Sequence, residues 1–120
     1  MGSPLVTPKV EGLNISDIVK MLFDKAYNLA IVTADDGTYT VGECLEPGVR
    51  DVKPLAVAAN VDGVCMENVV CAGSTGVLVA LVRGPAIVDG DLMEYNAQAK
   101  ATVDAALLVL GILVKDNVTA

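Results

Sequence analysis

The chemistry open to this 120-residue chain rests on its carboxylates and thiols, because the sequence contains no histidine. The missing histidine removes the defining member of Ser-His-Asp and Cys-His catalytic sites and of His-containing zinc sites. Two acidic groupings, Asp35 with Asp36 and Asp89 with Asp91 and Glu94, offer oxygen ligands for a hard cation. Neither grouping has the ligand number or spacing of a calcium loop, so we predict solvated acids in turns.

Three cysteines, Cys44, Cys65 and Cys71, are an odd number without a Cys-x-x-Cys spacing. A reactive cysteine needs a neighbour that lowers its pKa, and no histidine is present to do so. We therefore predict three free thiols that are buried or half-buried. The sequence as a whole predicts no catalytic residue, no bound metal and no cofactor.

The charge of the chain argues against two classes of partner. Lys and Arg total 8 against 15 Asp and Glu, which gives a formal charge of -7, so a surface that neutralises phosphates is not expected. No apolar run approaches the ~18 to 20 residues that span a bilayer, and the N-terminus lacks the basic and apolar regions of a secretion signal. We predict neither nucleic acid nor a membrane as a partner.

The apolar residues are abundant and small. They make up 53% of the chain, and 20 Val and 15 Ala account for most of them. The length fits one domain, since domains cluster around ~100 to 150 residues. A domain of this size buries only about two-thirds of the surface of its unfolded chain, so apolar surface is left for a contact between subunits. The composition predicts an oligomer.

Residues 1–28 differ from the rest of the chain, because they are neutral while residues 29–120 carry the whole net charge. The first twelve, which include Pro4, Pro8 and Gly12, predict an extended arm. After a possible N-cap at Asn14, the apolar residues have the spacing of one helix face, and we predict an amphipathic helix over 15–26. This helix packs either on its own domain or on a partner. The apolar positions are Ile15, Ile18, Val19, Leu22, Ala26 and Leu29.

Residues 29–120 read as a β-rich domain. The runs 28–33 and 38–41 flank a turn signal at 35–37 and predict a hairpin. The runs 54–61 and 76–83 are nearly continuous in apolar residues, as expected of strands that are covered on both faces or that lie at a contact between subunits. The glycine-containing stretch 72–76 lacks the lysine and spacing of a phosphate-binding loop, so it predicts a plain turn.

The C-terminal region alternates strand, helix and strand. We predict a strand over 86–88, a helix over 97–110 with Asn96 as its N-cap and Gly111 just beyond its end, and a closing strand over 112–115. The predicted fold class is therefore α+β and mostly β. It comprises a small compact β-rich domain with one or two short helices and an extended N-terminal arm.

Two stretches of the sequence resemble a known family. The run Leu78–Val88, followed by a spacer, an Ala-rich helix and Leu110–Val114, is similar to the C-terminal half of tailed-phage head decoration proteins of the phage lambda type. The segment Pro54–Asp62 is similar to the apolar strand and Asp-containing turn that precede it in that family. The resemblance covers about residues 54–115, and the helix predicted over 15–26 departs from it.

The resemblance implies a structural virion protein without enzymatic activity. Such a protein is made in the bacterial cytoplasm and binds the outer surface of the expanded capsid as a homotrimer, at three-fold and quasi-three-fold sites. Its partners are the major capsid protein and its own copies, and its N-terminal arm clamps neighbouring capsid subunits. The alternatives are a head-fibre or tail-associated virion subunit and, less favoured, a small oligomeric enzyme that uses Asp, Glu or Cys.

The predicted contact residues fall into two sets. The arm residues expected to bind the capsid are Pro4, Leu5, Val6, Thr7, Pro8 and Val10. The residues expected at the trimer interface are Val79, Leu81, Arg83 and Pro85. Arg83 ends an apolar strand, which suits an ion pair between subunits or an ordinary surface position.

Overall fold

The computed structural model describes residues 19–22 and 25–116 and confirms a mostly-β α+β fold. Two α-helices lie in this part of the chain, α1 Lys25–Asn28 and α2 Lys100–Val109, with 3-10 turns at Ala58–Asn60 and Gly90–Leu92. The strands are β1 Val19–Leu22, β2 Leu29–Thr33, β3 Gly37–Tyr39, β4 Cys44–Glu46, β5 Lys53–Pro54, β6 Gly63–Cys65, β7 Val69–Cys71, β8 Val77–Leu81, β9 Ala86–Asp89 and β10 Ile112–Lys115.

A five-stranded antiparallel sheet in the order β2-β8-β6-β4-β5 is the centre of the molecule. Along β8, Leu78 and Ala80 face one side of this sheet and Leu81 faces the other, and all three are buried. Both faces of the sheet are therefore covered, which explains why the sequence of β8 is apolar at every position. The prediction of a doubly covered strand within 76–83 is confirmed.

Two smaller sheets cover the central one. On one side, β9 lies between antiparallel β1 and parallel β10, and α2 provides the crossover that the parallel pair requires. Val103 and Leu107 of α2 enter the core on this side. On the other side, β3 and β7 form a two-stranded sheet over a second core that contains Tyr39 and Leu45.

The helix predicted over 15–26 is wrong where the structure describes this segment. Val19–Leu22 is a strand that pairs with β9, and only Lys25–Asn28 is helical. Val19 pairs with Val88 and packs against the first core, so the tertiary contact with β9 overrides the helical spacing. Strand β1, which lies within residues 1–28, therefore belongs to one sheet with β9 and β10.

Two further expectations are corrected. The runs 28–33 and 38–41 do contain strands, but β2 pairs with β8 and β3 pairs with β7 instead of forming a hairpin. Within 54–61, only Pro54 belongs to a strand, and Ala58–Asn60 is a 3-10 turn. The strands at 86–89 and 112–115 and the helix at 100–109 are confirmed.

The ends of α2 differ in how well the sequence predicts them. Gly111 follows the helix with φ +87°, a left-handed conformation that suits glycine. At the other end the N-cap is Ala99, not Asn96. Asn96 instead has a positive φ of 54° and uses its side-chain amide elsewhere in the fold.

Candidate adhesive surface

The turn formed by residues 83–85, between β8 and β9, brings three parts of the chain together. The Gly84 N–H donates to the carbonyl oxygen of Leu110 at 2.8 Å, which places the end of α2 against the turn. The Asn28 side-chain amide donates to the carbonyl oxygen of Arg83 at 2.8 Å and to that of Pro85 at 3.3 Å. Helix α1, the turn and the end of α2 therefore meet at one end of the central sheet.

The segments that meet there share one property, which is that 25–33, 77–88 and 105–115 contain no Asp or Glu. All twelve acidic residues of 29–120 lie in other segments. We call this part of the surface the acid-free end. Its exposed members near the turn include Tyr27, Arg83, Pro85, Leu108, Val109 and Leu113.

Apolar side chains dominate the acid-free end. Leu108 and Val109 lie in the last turn of α2, and Val109 is 86% exposed. Leu113 is exposed on β10, beside its cross-strand partner Ile87. Single exposed apolar residues are ordinary, but several around one turn are typical of a contact surface.

Arg83 is an exposed cation at this turn, and its own chain holds it in place. Its guanidinium lies over the ring of Tyr27, 5.1 Å from the ring centroid, and Nη1 donates to the Tyr27 carbonyl oxygen. A cation over an aromatic face contributes about 0.5 to 1 kcal/mol at an exposed site. Arg83 is thus oriented without a carboxylate, in an apolar setting.

At the opposite end of β2 and β8, where Thr33 pairs with Val77, the loops are acidic. We call residues 34–36, 47–52 and 72–76 the acidic loop end. The carboxylate of Asp35 accepts hydrogen bonds from the N–H groups of Val49 (3.1 Å) and Arg50 (2.8 Å). These acids, predicted as solvated, bind backbone and so order the loops.

Another acid and a base at this end do the same. Asp36 accepts from the Ser74 N–H at 2.9 Å. Arg50 Nη1 donates to the carbonyl oxygens of Ala34 (3.1 Å) and Gly76 (2.8 Å), which joins two of the loops. The charged groups of the acidic loop end therefore act within their own chain.

The second acidic grouping is also structural. Asp89 accepts from the Asp91 N–H at 3.0 Å and so caps the 3-10 turn that follows, while Glu94 accepts from the Asn96 N–H at 2.8 Å. Within residues 19–22 and 25–116, no group of three or more His, Cys, Asp or Glu is arranged to hold a metal ion.

Among the residues that the structure describes, two carboxyl groups have a raised pKa, the property that the enzyme alternative would require. Burial raises the pKa of Glu43, and its carboxylate accepts from the Asn96 side-chain amide at 3.1 Å. Burial also raises the pKa of Asp62, whose buried Oδ1 has no hydrogen-bond partner among the described atoms. The contact of Glu43 ties residues 94–96 to the start of β4, which is a structural role.

The cysteine prediction is confirmed, because all three thiols are free and buried. Burial raises the pKa of Cys44 to about 12 and that of Cys65 to about 11, and it also raises the pKa of Cys71. At neutral pH these cysteines are protonated, so they behave as small apolar core residues.

The structure places the predicted contact residues unequally. The arm residues 4–8 and 10 lie outside the described part of the chain. Leu81 has no exposed surface, so it offers nothing to a second subunit and we leave it out of the proposed interface. Val79 is half-buried against the first core, whereas Arg83 and Pro85 are exposed at the acid-free end.

Sequence reasoning missed most of the acid-free end. It did not single out Tyr27, Leu108, Val109 or Leu113, which supply the exposed apolar area around Arg83 and Pro85. The signal was present as three long segments without a carboxylate in an acidic chain. Only the fold shows that these segments meet.

Comparisons with known proteins do not extend this description. No helix in the described ranges is long and apolar enough to cross a membrane. No protein-family model matches the chain, and neither the curated proteins nor the solved structures yield a match. The similarity to head decoration proteins therefore rests on the sequence pattern alone.

Proposed function

We propose that the protein is a capsid decoration, or cement, protein of a tailed phage. In this role it binds the outer surface of the expanded head as a trimer, at three-fold and quasi-three-fold sites, and stabilises the shell against the pressure of the packaged DNA. The observation that carries the proposal is the acid-free end, an exposed apolar surface on an otherwise acidic molecule. Such a surface suits a protein that acts by adhesion.

Contact between copies is the first function of the acid-free end in this proposal. Each copy carries a formal charge of -7, so copies repel one another where their carboxylates face each other. At the acid-free end that repulsion is absent, and burial of apolar area stabilises by about 25 cal/mol per Å². Arg83 and Pro85 remain in the proposed trimer interface, now with Val109 and Leu108 beside them.

The acidic loop end faces solvent in the same arrangement. Val49 is 99% exposed there, and the charged groups Asp35, Arg50 and Asp36 are engaged within the chain. Net negative charge on the outer side keeps many displayed copies soluble and discourages contact with nucleic acid. The acid-free end is thus suited to contacts and the acidic loop end to solvent, as a protein that coats the outside of a shell requires.

Stabilisation of the shell needs no catalytic group. A protein that binds only the assembled, expanded shell shifts the equilibrium toward that state by mass action. Many individually modest contacts with the major capsid protein add up over the shell. The proposed arm contact, through Pro4–Pro8 and Val10, would link each copy to neighbouring capsid subunits.

Deletion of residues 1–12 tests the arm. We expect the truncated chain to remain a folded oligomer and to lose binding to expanded heads assembled without the protein, measured by co-sedimentation. A full-length chain with Val49→Asp is the control, because it alters only the outer end and should bind normally. Unchanged binding by the truncated chain contradicts the role of the arm.

Electron microscopy of decorated heads separates the proposal from the virion alternatives. A decoration protein gives density at the three-fold and quasi-three-fold sites of the shell. Density that projects from one vertex or from the tail would instead identify a fibre or tail-associated subunit, and it would overturn the proposal.

A further inference from the structure

Strand β2 has an open edge at Ile31, which is 76% exposed in the middle of the strand. The Val82 N–H donates to the Asn28 carbonyl oxygen and the Ala34 N–H donates to the Gly76 carbonyl oxygen. In an antiparallel pair these bonds alternate, so the even-numbered residues of β2 bond to β8. The backbone N–H and C=O of Ile31 therefore point away from the sheet.

The open part of this edge is short. Beyond Ile31, the Thr33 N–H donates to Asp51 Oδ2 at 3.0 Å and the Thr33 carbonyl oxygen accepts from the Val52 N–H at 3.0 Å. On the other side, α1 ends at Asn28, directly before the strand. Among residues 19–22 and 25–116, no group is hydrogen-bonded to the outward N–H and C=O of Ile31.

The two edges of the central sheet are protected differently. At the far edge, β5 consists of Lys53 and Pro54, the two residue types that natural proteins place on edges to prevent strand addition. The edge strand β2 has the sequence Leu-Ala-Ile-Val-Thr, with no charge and no proline. An unprotected, uncharged edge of this kind is suited to accept an added strand.

We propose that residues 4–8 of a second copy of this chain bind to the open edge of β2 as an added antiparallel strand, with Val6 opposite Ile31. The inference rests on the self-association that the proposed function includes, but not on binding to a capsid. It names a partner segment and a register that the proposed function leaves open.

The length of the arm's proline-free stretch matches the length of the opening. Between Pro4 and Pro8, only Leu5, Val6 and Thr7 have backbone N–H groups. A strand formed by them cannot extend past the prolines, because proline lacks the N–H donor. In the proposed register Pro4 comes opposite Thr33, whose outward groups already bind residues 51 and 52.

Charge and side-chain packing favour the same segment. The first ten residues contain Lys9 and no carboxylate, so the arm brings a positive charge and no negative charge to an acidic body. Ile31 pairs across the ladder with Val79. Val6 would extend this row of β-branched side chains on one face, and cross-strand pairs of this kind stabilise sheets.

We assign the added strand to a second copy because the arm is long enough to reach a neighbour and because three equivalent contacts can close a trimeric ring. From Val6 to Val19, where β1 begins, the chain can span roughly 40 Å when extended. A contact between the arm of one copy and β2 of the next is heterologous, and three such contacts close into a ring. Ile31 lies two residues from Leu29, next to the acid-free end where copies are proposed to meet.

The added strand would also create a surface for the shell. When Val6 bonds to β2, the backbone groups of Leu5 and Thr7 point to the opposite side, because these directions alternate along a strand. The arm then becomes the new edge of the sheet. One segment can thus join two copies and still offer an edge to a capsid subunit.

Cross-linking between two full-length variants tests the proposal without capsids. Val6→Cys in one copy and Ile31→Cys in another are mixed, exchanged and treated with a short thiol-specific cross-linker; the native cysteines are buried. The matched control replaces Ile31→Cys with Val70→Cys, which is 71% exposed in the middle of β7. We expect cross-linking at residue 31 to be on the order of 100-fold faster, because docking raises the thiols to millimolar effective concentration.

Equal rates at residues 31 and 70 would overturn the proposal, as would a cross-link that forms only when both cysteines are in one copy. Amide hydrogen exchange gives a second measurement that needs no substitution. The Ile31 N–H should be protected in the full-length protein and lose that protection when residues 1–12 are deleted, while the Val70 N–H stays unchanged. Head binding without the cross-link overturns this inference alone; the cross-link without head binding overturns only the proposed function.

Discussion

The acid-free end and the acidic loop end are built on the same two strands, β2 and β8, but they hold their loops together in opposite ways. At the acid-free end, backbone groups of Gly84 and Leu110 and the amide of Asn28 join the segments. At the acidic loop end, the charged side chains of Asp35 and Arg50 do so. The acid-free end is thus held together without a carboxylate and keeps an exposed apolar surface, whereas the carboxylate of Asp35 and the guanidinium of Arg50 leave a polar surface at the acidic loop end.

Gly84 is the position at which the acid-free end tolerates least change. A Cβ on this residue would overlap the carbonyl oxygen of Gly111, and neither backbone can move away without breaking the hydrogen bond from the Gly84 N–H to Leu110. We expect Gly84→Ala to lower the free energy of unfolding by about 3 kcal/mol or more, measured by chemical denaturation.

Gly73→Ala, at the acidic loop end, is the matched control. Gly73 also has a conformation that favours glycine, with φ +65°, but its Cβ would meet nothing within 4 Å. We expect a loss of about 1 kcal/mol from backbone strain alone. Equal losses for the two variants would contradict the close approach of Gly84 and Gly111.

Val109→Asp places a carboxylate in the acid-free end. Because Val109 is 86% exposed in the monomer, its replacement should leave the fold intact while weakening self-association. Loss of a central apolar contact and burial of a charge typically weaken an interface by about 2 kcal/mol or more. Analytical ultracentrifugation should show the variant as a monomer at concentrations where the parent associates.

Val49→Asp makes the same change at the other end of the molecule. Val49 is 99% exposed, and we expect this variant to associate like the parent. If Val49→Asp dissociates the oligomer and Val109→Asp does not, the roles of the two ends are reversed.

Substitution of Arg50 and of Arg83 allows the same comparison of the two ends, with smaller expected effects on stability. Arg50→Ala removes the donor that joins the carbonyl oxygens of Ala34 and Gly76, so we expect a loss of about 1.5 to 3 kcal/mol. Arg83→Ala removes a contact with Tyr27 that is more exposed, with a loss of about 1 kcal/mol. Thermal unfolding should therefore show the larger loss of stability for Arg50→Ala. A larger loss for Arg83→Ala would contradict the structural role of the Arg50 hydrogen bonds at the acidic loop end.

Glu43 and Glu46, three residues apart, should respond to pH with opposite signs. Burial raises the pKa of Glu43, so the folded state binds this proton more tightly than the unfolded chain does. The resulting stability is present below the ordinary pKa of 4.5 and is lost as the pH rises through the raised pKa. Glu43→Gln should therefore reduce the loss of thermal stability between about pH 4 and about pH 7.

Glu46 provides the control for that experiment. Burial acts to raise the pKa of Glu46, but hydrogen bonds from the Ala56 and Val57 N–H groups and from Lys53 outweigh it, and the pKa is lowered. Its contribution is present above the ordinary pKa and is lost as the pH falls. Glu46→Gln should therefore destabilise most near neutral pH, and a shift of the same sign in both variants would contradict the assignment.

The parts of the fold that the sequence predicts are those in which local pattern and tertiary context agree. Strand β8 is continuously apolar because both of its faces are buried, and α2 ends before a glycine with positive φ. Strand β1 shows the reverse case, since Val19 fits a helical spacing in the sequence yet pairs with Val88. The strand that pairs with β1 lies almost 70 residues further along the chain, so the spacing of apolar residues around Val19 carries no information about it.

The exposure of the residues in the proposed contact surface is predictable to a similar degree. Arg83 and Pro85 are exposed as expected, because they form the turn between β8 and β9. Leu81 was assigned to the same surface, but the alternation of side chains along β8 directs it into the first core. A shift of one residue along a strand reverses its face, and the sequence does not mark the register.

The sequence by itself determined the limits on chemistry and the general character of the surface. It has no histidine, an excess of carboxylates, many small apolar residues and three long segments without an acid. Only the tertiary structure decided that these segments meet at one end and that β2 is left as an open edge. Charge and hydropathy are sums over individual residues, so the sequence alone gives them. Strand pairing joins residues that are far apart in the sequence, and this pairing determines which backbone and side-chain groups remain exposed.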